Sequence, residues 1–301
     1  MTETACVELG EDDLSCPDIA YVEEELGLEN VTSITEYPQR PYLIDGKRYV
    51  APTECCYDHE ETYTDCGGSH GFGRPLVIEG AAAIAEVVEG DRGWWRERKR
   101  TLYASGLPAV ERAAIARRWR KRALLEHAAV GSFARFSLEL LGLGAPLDLV
   151  RGAQRASLEE IAHASACFEL AFALDGLRAG PGPLPVAGAV ASVPSAADVA
   201  RRLVHEGCVE ETLGAAELLA AAGRERDPFV RRLLLRLGRD ESRHAAFGWQ
   251  ALAWLVGQDA AARDAATDAL SIAERSVAAS APSALEAWRA IVRPVAETVL
   301  S

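Results

Sequence analysis

Methionine occurs once in the 301 residues, and phenylalanine and isoleucine are scarce while alanine is abundant. Little aromatic bulk and much alanine favour helices. No apolar run reaches the roughly 18 residues that a membrane helix needs. The opening MTETACVELGEDDL is acidic and lacks the apolar segment of a secretory signal. The expected location is therefore the cytoplasm, or an extracytoplasmic compartment if a signal peptide has been removed. There is no P-loop, no Rossmann fingerprint and no nucleophile motif, and GFGRP is too short a glycine pattern to signal phosphate binding. Positive charge is not in excess either. A net charge of −13 argues against nucleic acid as the main partner.

What is present is distributed unevenly. Residues 1–75 hold 17 acidic and 4 basic side chains, and the remaining 28 of each sign cancel. The same stretch contains Cys6, Cys16, Cys55, Cys56 and Cys66 and six of the seven tyrosines. Runs such as RPYLID and KRYVAP favour extended backbone, which predicts a loop-rich extension with one hairpin. CCYDHEETYTDC, with His59 and His70, has two readings, a zinc site or disulfides. Its spacing matches no standard zinc pattern, and the odd cysteine count leaves one thiol unpaired. The expected organisation is an acidic, Cys/Tyr-rich extension over 1–107, a helical domain over 108–257 and C-terminal helices over 258–301. A short helix is expected within EGAAAIAEVVEGDRGWWRERKR.

Four long helices are predicted. The first runs from about Pro108 to Leu143 and stops at GLGAP, and the second from about Leu147 to Arg178. The third starts at a Ser195 N-cap and ends near Gly223. The fourth has Asp227 as N-cap and Pro228 at its first position, and runs to about Gly257. Shorter helices follow in 259–279 and 283–299. Short links make helices one and two antiparallel, and likewise three and four. The link over 179–194, about 50 Å when extended, is long enough to span a 30-residue helix of about 45 Å. The expectation is all-α: a ferritin-like four-helix bundle with one long crossover. The basic run ARRWRKR, residues 116–122, is read as the polar face of the first helix.

The chemistry lies in two Glu-x-x-His motifs, Glu160 with His163 and Glu241 with His244. Residues i and i+3 share a helix face, so each pair converges on one point. Matching positions on the antiparallel partners supply Glu126 and Glu206. Turn-distance symmetry favours Glu206, while Glu210, one turn on, stays open. Glu211 points about 100° away from Glu210 and is assigned to the surface or to the ligands' surroundings. Four carboxylates and two imidazoles over four helices form the set that a di-iron or di-manganese site uses. Hard oxygen donors suit those ions, and a carboxylate can bridge two of them. An acid precedes each motif's glutamate. Ligating imidazoles commonly donate their other N–H to a carboxylate, so Asp240 is expected to orient His163, and Glu159 to orient His244. His127 and His205 sit one step round their helices and are assigned to packing or solvent.

The pattern EHAAVGSFARF…EEIAHA…EGCVEET…DESRHAAF resembles the ferritin-like di-iron carboxylate superfamily, over about residues 108–257. That superfamily includes the ribonucleotide reductase small subunit, bacterial multicomponent monooxygenases, arylamine N-oxygenases, rubrerythrins and ferritins. The nearest likeness is to bacterial proteins called ferritin-like domain proteins. The resemblance implies two iron ions, or manganese, held by Glu126, Glu160, His163, Glu206, Glu241 and His244. It also implies an oxidoreductase that uses O2 or peroxide on an organic substrate. Cys167 stands where reductase small subunits carry the radical tyrosine, and Glu210 where oxygenases often have threonine. Both are candidate catalytic residues, Glu210 as a further ligand or proton carrier. Cys167 and Cys208 are otherwise small buried hydrophobes.

The preferred function is hydroxylation or N-oxygenation of a small molecule, with electrons from a separate donor. The partners are then the substrate and O2 or peroxide, with neither nucleic acid nor membrane, and a homodimer is compatible with this reading. The alternatives are a ferroxidase or iron-handling protein, a manganese catalase, and a non-catalytic scaffold whose N-terminal region binds a partner.

Overall fold

The computed structural model describes residues 2–8, 31–44, 47–60, 74–78, 80–90, 93–95, 102–189, 195–278 and 282–301; the first three ranges, and residues 103 and 282, are described through the backbone alone. Two compact units are present, one of Met1–Thr64, Arg96–Arg120 and Glu169–Arg178, the other of Asp65–Trp95, Lys121–Phe168 and Ala179–Ser301.

In the first unit, β1 (Thr2–Glu8), β2 (Val31–Ile44) and β3 (Lys47–Glu60) form an antiparallel sheet in the order β1-β3-β2. Residues 40–44 of the run RPYLID, and the run KRYVAP, lie in the paired β2 and β3, with Tyr42 opposite Tyr49. The side chains of the cysteine-rich stretch, and His59 and His70, lie outside the described residues.

The described structure is mostly helical. Its long helices begin and end close to where the capping signals put them: α1 (Ala109–Gly142), α2 (Leu147–Asp175), α3 (Ala196–Leu203), α4 (Glu211–Arg224), α5 (Pro228–Gln258) and α6 (Ala260–Ala278). Ser195 caps α3 by accepting from the Asp198 N–H. Asp227 caps α5 by accepting from Phe229 and Val230, with Pro228 in the first turn. Between α3 and α4 the chain does not stop. Residues Val204–Glu210 continue as a π-helical segment, whose hydrogen bonds span one residue more than those of an α-helix. After α6 come α7 (Pro282–Ala287), a second π turn (Trp288–Val292) and α8 (Arg293–Leu300).

The expected short helix is not found over 80–90. Val77–Ile78, Ala81–Ala82 and Val87–Glu89 are short strands, β4, β5 and β6. Gly80, at φ +86°, makes a turn that a helix cannot accommodate. The β-branched Val87 and Val88 pair antiparallel with Pro181 and Gly180 of β7 (Ala179–Pro181). The long link is therefore partly ordered by a strand contact far away in sequence.

Helices α1 and α2 are antiparallel. Arg112 Nε donates to the Leu174 carbonyl at 3.1 Å, Arg120 Nη2 to Asp175 Oδ1 at 2.6 Å, and Ser157 Oγ lies 3.5 Å from the Val130 carbonyl. The basic run is thus not simply a solvated face: Arg120 and Arg122 are buried, and each has an acid beside it. Helices α4 and α5 are likewise antiparallel, with Trp249 Nε1 donating to Thr212 Oγ1 at 3.2 Å and Gly238 facing Leu219. Gly248 approaches the π segment so closely that a Cβ there would meet the Gly207 carbonyl oxygen at 2.2 Å. The core of the second unit draws on Phe136, Leu203, Leu252, Ala266 and Val292 among others, so the C-terminal helices share it. No described helix is long and apolar enough to cross a membrane.

Candidate metal centre

Four helical stretches of the second unit each bring acidic side chains to one buried place. α1 contributes Glu126, α2 Glu160 and His163, α4 Glu211, and α5 Glu241 and His244; none is more than 3% exposed. They form two overlapping groups, Glu126, Glu160, His163 and Glu241, and Glu160, Glu211, Glu241 and His244. In each group the four potential ligand atoms lie within 4.8 Å of one another. Glu160 and Glu241 belong to both. His163 Nδ1 lies 3.4 Å from Glu160 Oε2 and 3.4 Å from Glu241 Oε1. His244 Nδ1 lies 2.9 Å from Glu160 Oε1 and 3.4 Å from Glu241 Oε2.

The outer nitrogens of both rings are held from across the cluster. His163 Nε2 is 3.0 Å from Asp240 Oδ2, and His244 Nε2 is 2.9 Å from Glu159 Oε2. A carboxylate only accepts, so each Nε2 carries the proton and donates. This is the crossed pairing expected from the acids that precede the motifs. Arg243 joins the two acids, its Nη2 lying 2.6 Å from Asp240 and 3.2 Å from Glu159.

The buried charges shift one another strongly. Burial pushes the carboxyls of Glu126 and Glu211 well up, against Arg122 in the first case and reinforced by Glu241 in the second. Burial acts upward on Glu160 and Glu241 as well, but the two imidazoles, with the Glu211 carboxyl at Glu241, prevail and hold both below the usual range. The imidazoles move the other way. Burial disfavours their charge, yet Glu160 and Asp240 raise His163 well above normal, while Glu159, Glu160 and Glu241 lift His244 to about 12. The eight oxygens of Glu126, Glu160, Glu211 and Glu241 and the Nδ1 atoms of both histidines make no hydrogen bond of sound geometry. Buried polar atoms are rarely left so, because each costs its full desolvation. Four carboxylates and two imidazoles around two points are the donor set that satisfies two divalent ions. The residues therefore fit a metal pair.

Of the expected ligands, the structure brings together Glu126, Glu160, His163, Glu241 and His244. It does not bring Glu206 or Glu210 to them. Glu206 is also buried, but Arg135 Nη2 donates to both its oxygens at 2.6 Å. Glu210 is half-buried, with His205 Nδ1 3.9 Å away. The third-helix carboxylate at the cluster is Glu211, which its angle of about 100° from Glu210 on a regular helix assigns to the surface or to the ligands' surroundings. That argument assumed a regular α-helix through 204–210, and the π segment changes the angle at which the chain leaves it. One signal was readable: Glu211 heads the spacing Glu211, Ala215, Leu218, Ala222, a single buried stripe of α4.

Cys167 is buried, its thiol pushed up to about 12 by burial and then by Glu126. It is therefore a neutral thiol near the cluster. Cys208 is also buried, and burial raises its thiol. His127 packs edge-on against Trp94 at 5.0 Å, and His205 is exposed, in line with packing and solvent roles. No family model, curated protein or solved structure matches the chain.

Proposed function

We propose that this cluster holds two divalent metal ions, iron in the first instance and manganese as the alternative. We further propose that the ligand helices form a ferritin-like four-helix bundle with one long crossover, and that the chain is a non-haem di-iron oxidoreductase. Its reaction would use O2 or peroxide to hydroxylate or N-oxygenate an organic substrate. One observation carries the reading: two four-residue ligand groups share Glu160 and Glu241. Shared carboxylates suit adjacent cations, which offset the four buried charges.

With O2, two ferrous ions held there would supply two of the four electrons and the substrate the other two; with peroxide, the substrate would supply both. The protein's own part is then specific. Glu160 and Glu241, common to both groups, would serve both ions, Glu126 with His163 and Glu211 with His244 would hold one ion each, and Asp240 and Glu159 would keep each Nδ1 lone pair aimed inward. Cys167, neutral and apolar in character, contributes to a dry wall. Re-reduction between turnovers requires an electron donor separate from the site.

The test is anaerobic iron loading of the full chain, followed by metal analysis and by optical spectra on adding O2. Two irons per chain and a new visible band support the reading. Iron well below two, unaffected by His163→Ala and His244→Ala, would sink it. Repeated iron oxidation with no added substrate, by a multi-subunit shell, would favour a ferroxidase instead.

A further inference from the structure

Glu206 and Glu211 are both buried acids on one helical run, and only one reaches the metal cluster. A second buried ionic cluster, built from three segments, accounts for this. Arg135 of α1 grips Glu206 with one nitrogen against both oxygens, while its Nη1 donates to the Val77 carbonyl at 2.6 Å. Ser132 Oγ donates to Glu206 Oε2 at 3.0 Å. Arg74 Nε donates to Ser132 at 2.9 Å and lies 3.5 Å from Glu206 Oε2. The Arg74 guanidinium also sits over the rings of Phe133 and Phe136, at 4.8 and 4.7 Å. Phe133 in turn packs edge-on against His244, at 5.3 Å. On its other side the π segment is pressed by Gly248 at Gly207.

We propose that Arg135 and Arg74 form a register clamp on Glu206: they withhold that carboxylate from the metal pair, so that Glu211 serves as the ligand paired with His244. This inference rests on the metal reading given above. A buried carboxylate without a cation partner is strongly driven to find one. Without Arg135, Glu206 would keep only the longer 3.5 Å contact to Arg74 and the Ser132 hydroxyl; so weakly held, it would compete for the second ion, and the π segment would shift to let it. Arg135, Arg74 and Ser132 are thus positioning residues, acting on the ligands through the backbone of 204–211.

The experiment titrates the metal-free full chain with cobalt(II), whose visible spectrum reports its ligands, in wild type, Arg135→Met and Arg135→Met/Glu206→Met. Arg135→Met should weaken one of the two cobalt ions roughly tenfold or more and change that ion's spectrum, leaving the other as in wild type. The double variant should restore both, because the competing carboxylate is gone. Wild-type binding and spectrum in Arg135→Met, or equal weakening of both ions without rescue in the double variant, would overturn the clamp. Should Arg135→Met fail to fold, Arg135→Gln is read in the same way: it removes the cation and keeps a polar, hydrogen-bonding side chain. Amide exchange of the metal-free proteins separates the two hypotheses. The clamp requires faster exchange confined to 204–212 in the Arg135 variant, and unchanged exchange there overturns it whatever the metal content. Failure of wild type to take up two cobalt ions would instead count against the metal reading.

Discussion

Asp240 Oδ2 lies 3.0 Å from Nε2 of His163, a residue 77 positions earlier in the chain. Asp240 adjoins Glu241, yet it serves the histidine of the other helix, and Glu159 does the same for His244. The two motifs are interlocked: each supplies a Glu/His pair at one end of the cluster and the acid that contacts the imidazole at the other. Asp240→Asn should therefore weaken the ion at His163, and Glu159→Gln the ion at His244, each by about 10–100-fold. Competition with a metal-binding dye, read for each ion separately, checks this. Equal loss at both ions in either variant would contradict the crossed arrangement.

Shared and terminal ligands should behave differently. Glu160→Ala and Glu241→Ala each remove a member of both ligand groups, so metal content should fall toward zero. Glu126→Ala and Glu211→Ala each remove a member of one group and should leave one ion per chain. Glu206→Ala, in contrast to Glu211→Ala, removes no atom from either group. Elemental analysis of the purified variants decides.

Metal binding should strengthen as pH rises. Glu126, Glu211, His163 and His244 all have raised pKa values without metal, so each must give up its proton to bind. Loading the ions should therefore release protons, measurable by calorimetry in buffers of different ionisation enthalpy. The metal-free protein should show the opposite trend. The imidazole contribution to its stability is complete below the unfolded pKa of about 6.5 and is lost as pH climbs toward the folded value, about 12 for His244. The raised carboxyls act with the same sign. Denaturant melts at pH 6.5 and pH 9, with and without metal, should show stability falling with pH only in the metal-free form.

Four buried carboxyls without cations burden the fold. Glu211→Leu replaces a buried, hydrogen-bond-poor carboxyl with an apolar side chain of similar size. It should stabilise the metal-free protein by about 1–4 kcal/mol while removing much of the metal-dependent gain. Thermal melts of both forms test this; a less stable metal-free variant would contradict it.

Gly248→Ala should be among the costliest small substitutions in the second unit. The new methyl would lie 2.2 Å from a backbone oxygen of the π segment, and backbone cannot move aside as a side chain can. A loss of about 1–3 kcal/mol in denaturant melts, together with weaker binding of the ion at Glu211, is the expected outcome.

Much of this could be read from the chain alone. Ser195 and Asp227 announce helices because their side chains satisfy the first free N–H groups, a purely local requirement. Glu160 with His163 and Glu241 with His244 share faces because the α-helical repeat puts i and i+3 together. With an acid before each glutamate, even the crossed pairing of Asp240 and Glu159 could be anticipated. The strands at 77–89 could not: Ala-rich local propensity pointed to a helix, while the turn at Gly80 and the pairing of residues 87–89 with 179–181 imposed extended backbone. Nor could the choice between Glu206 and Glu211. It depends on a π segment held by Arg135, Arg74 and Gly248, residues that lie 38 to 130 positions from it. Local periodicity names the carboxylates available; long-range ion pairing and close backbone contact decide which of them faces the site.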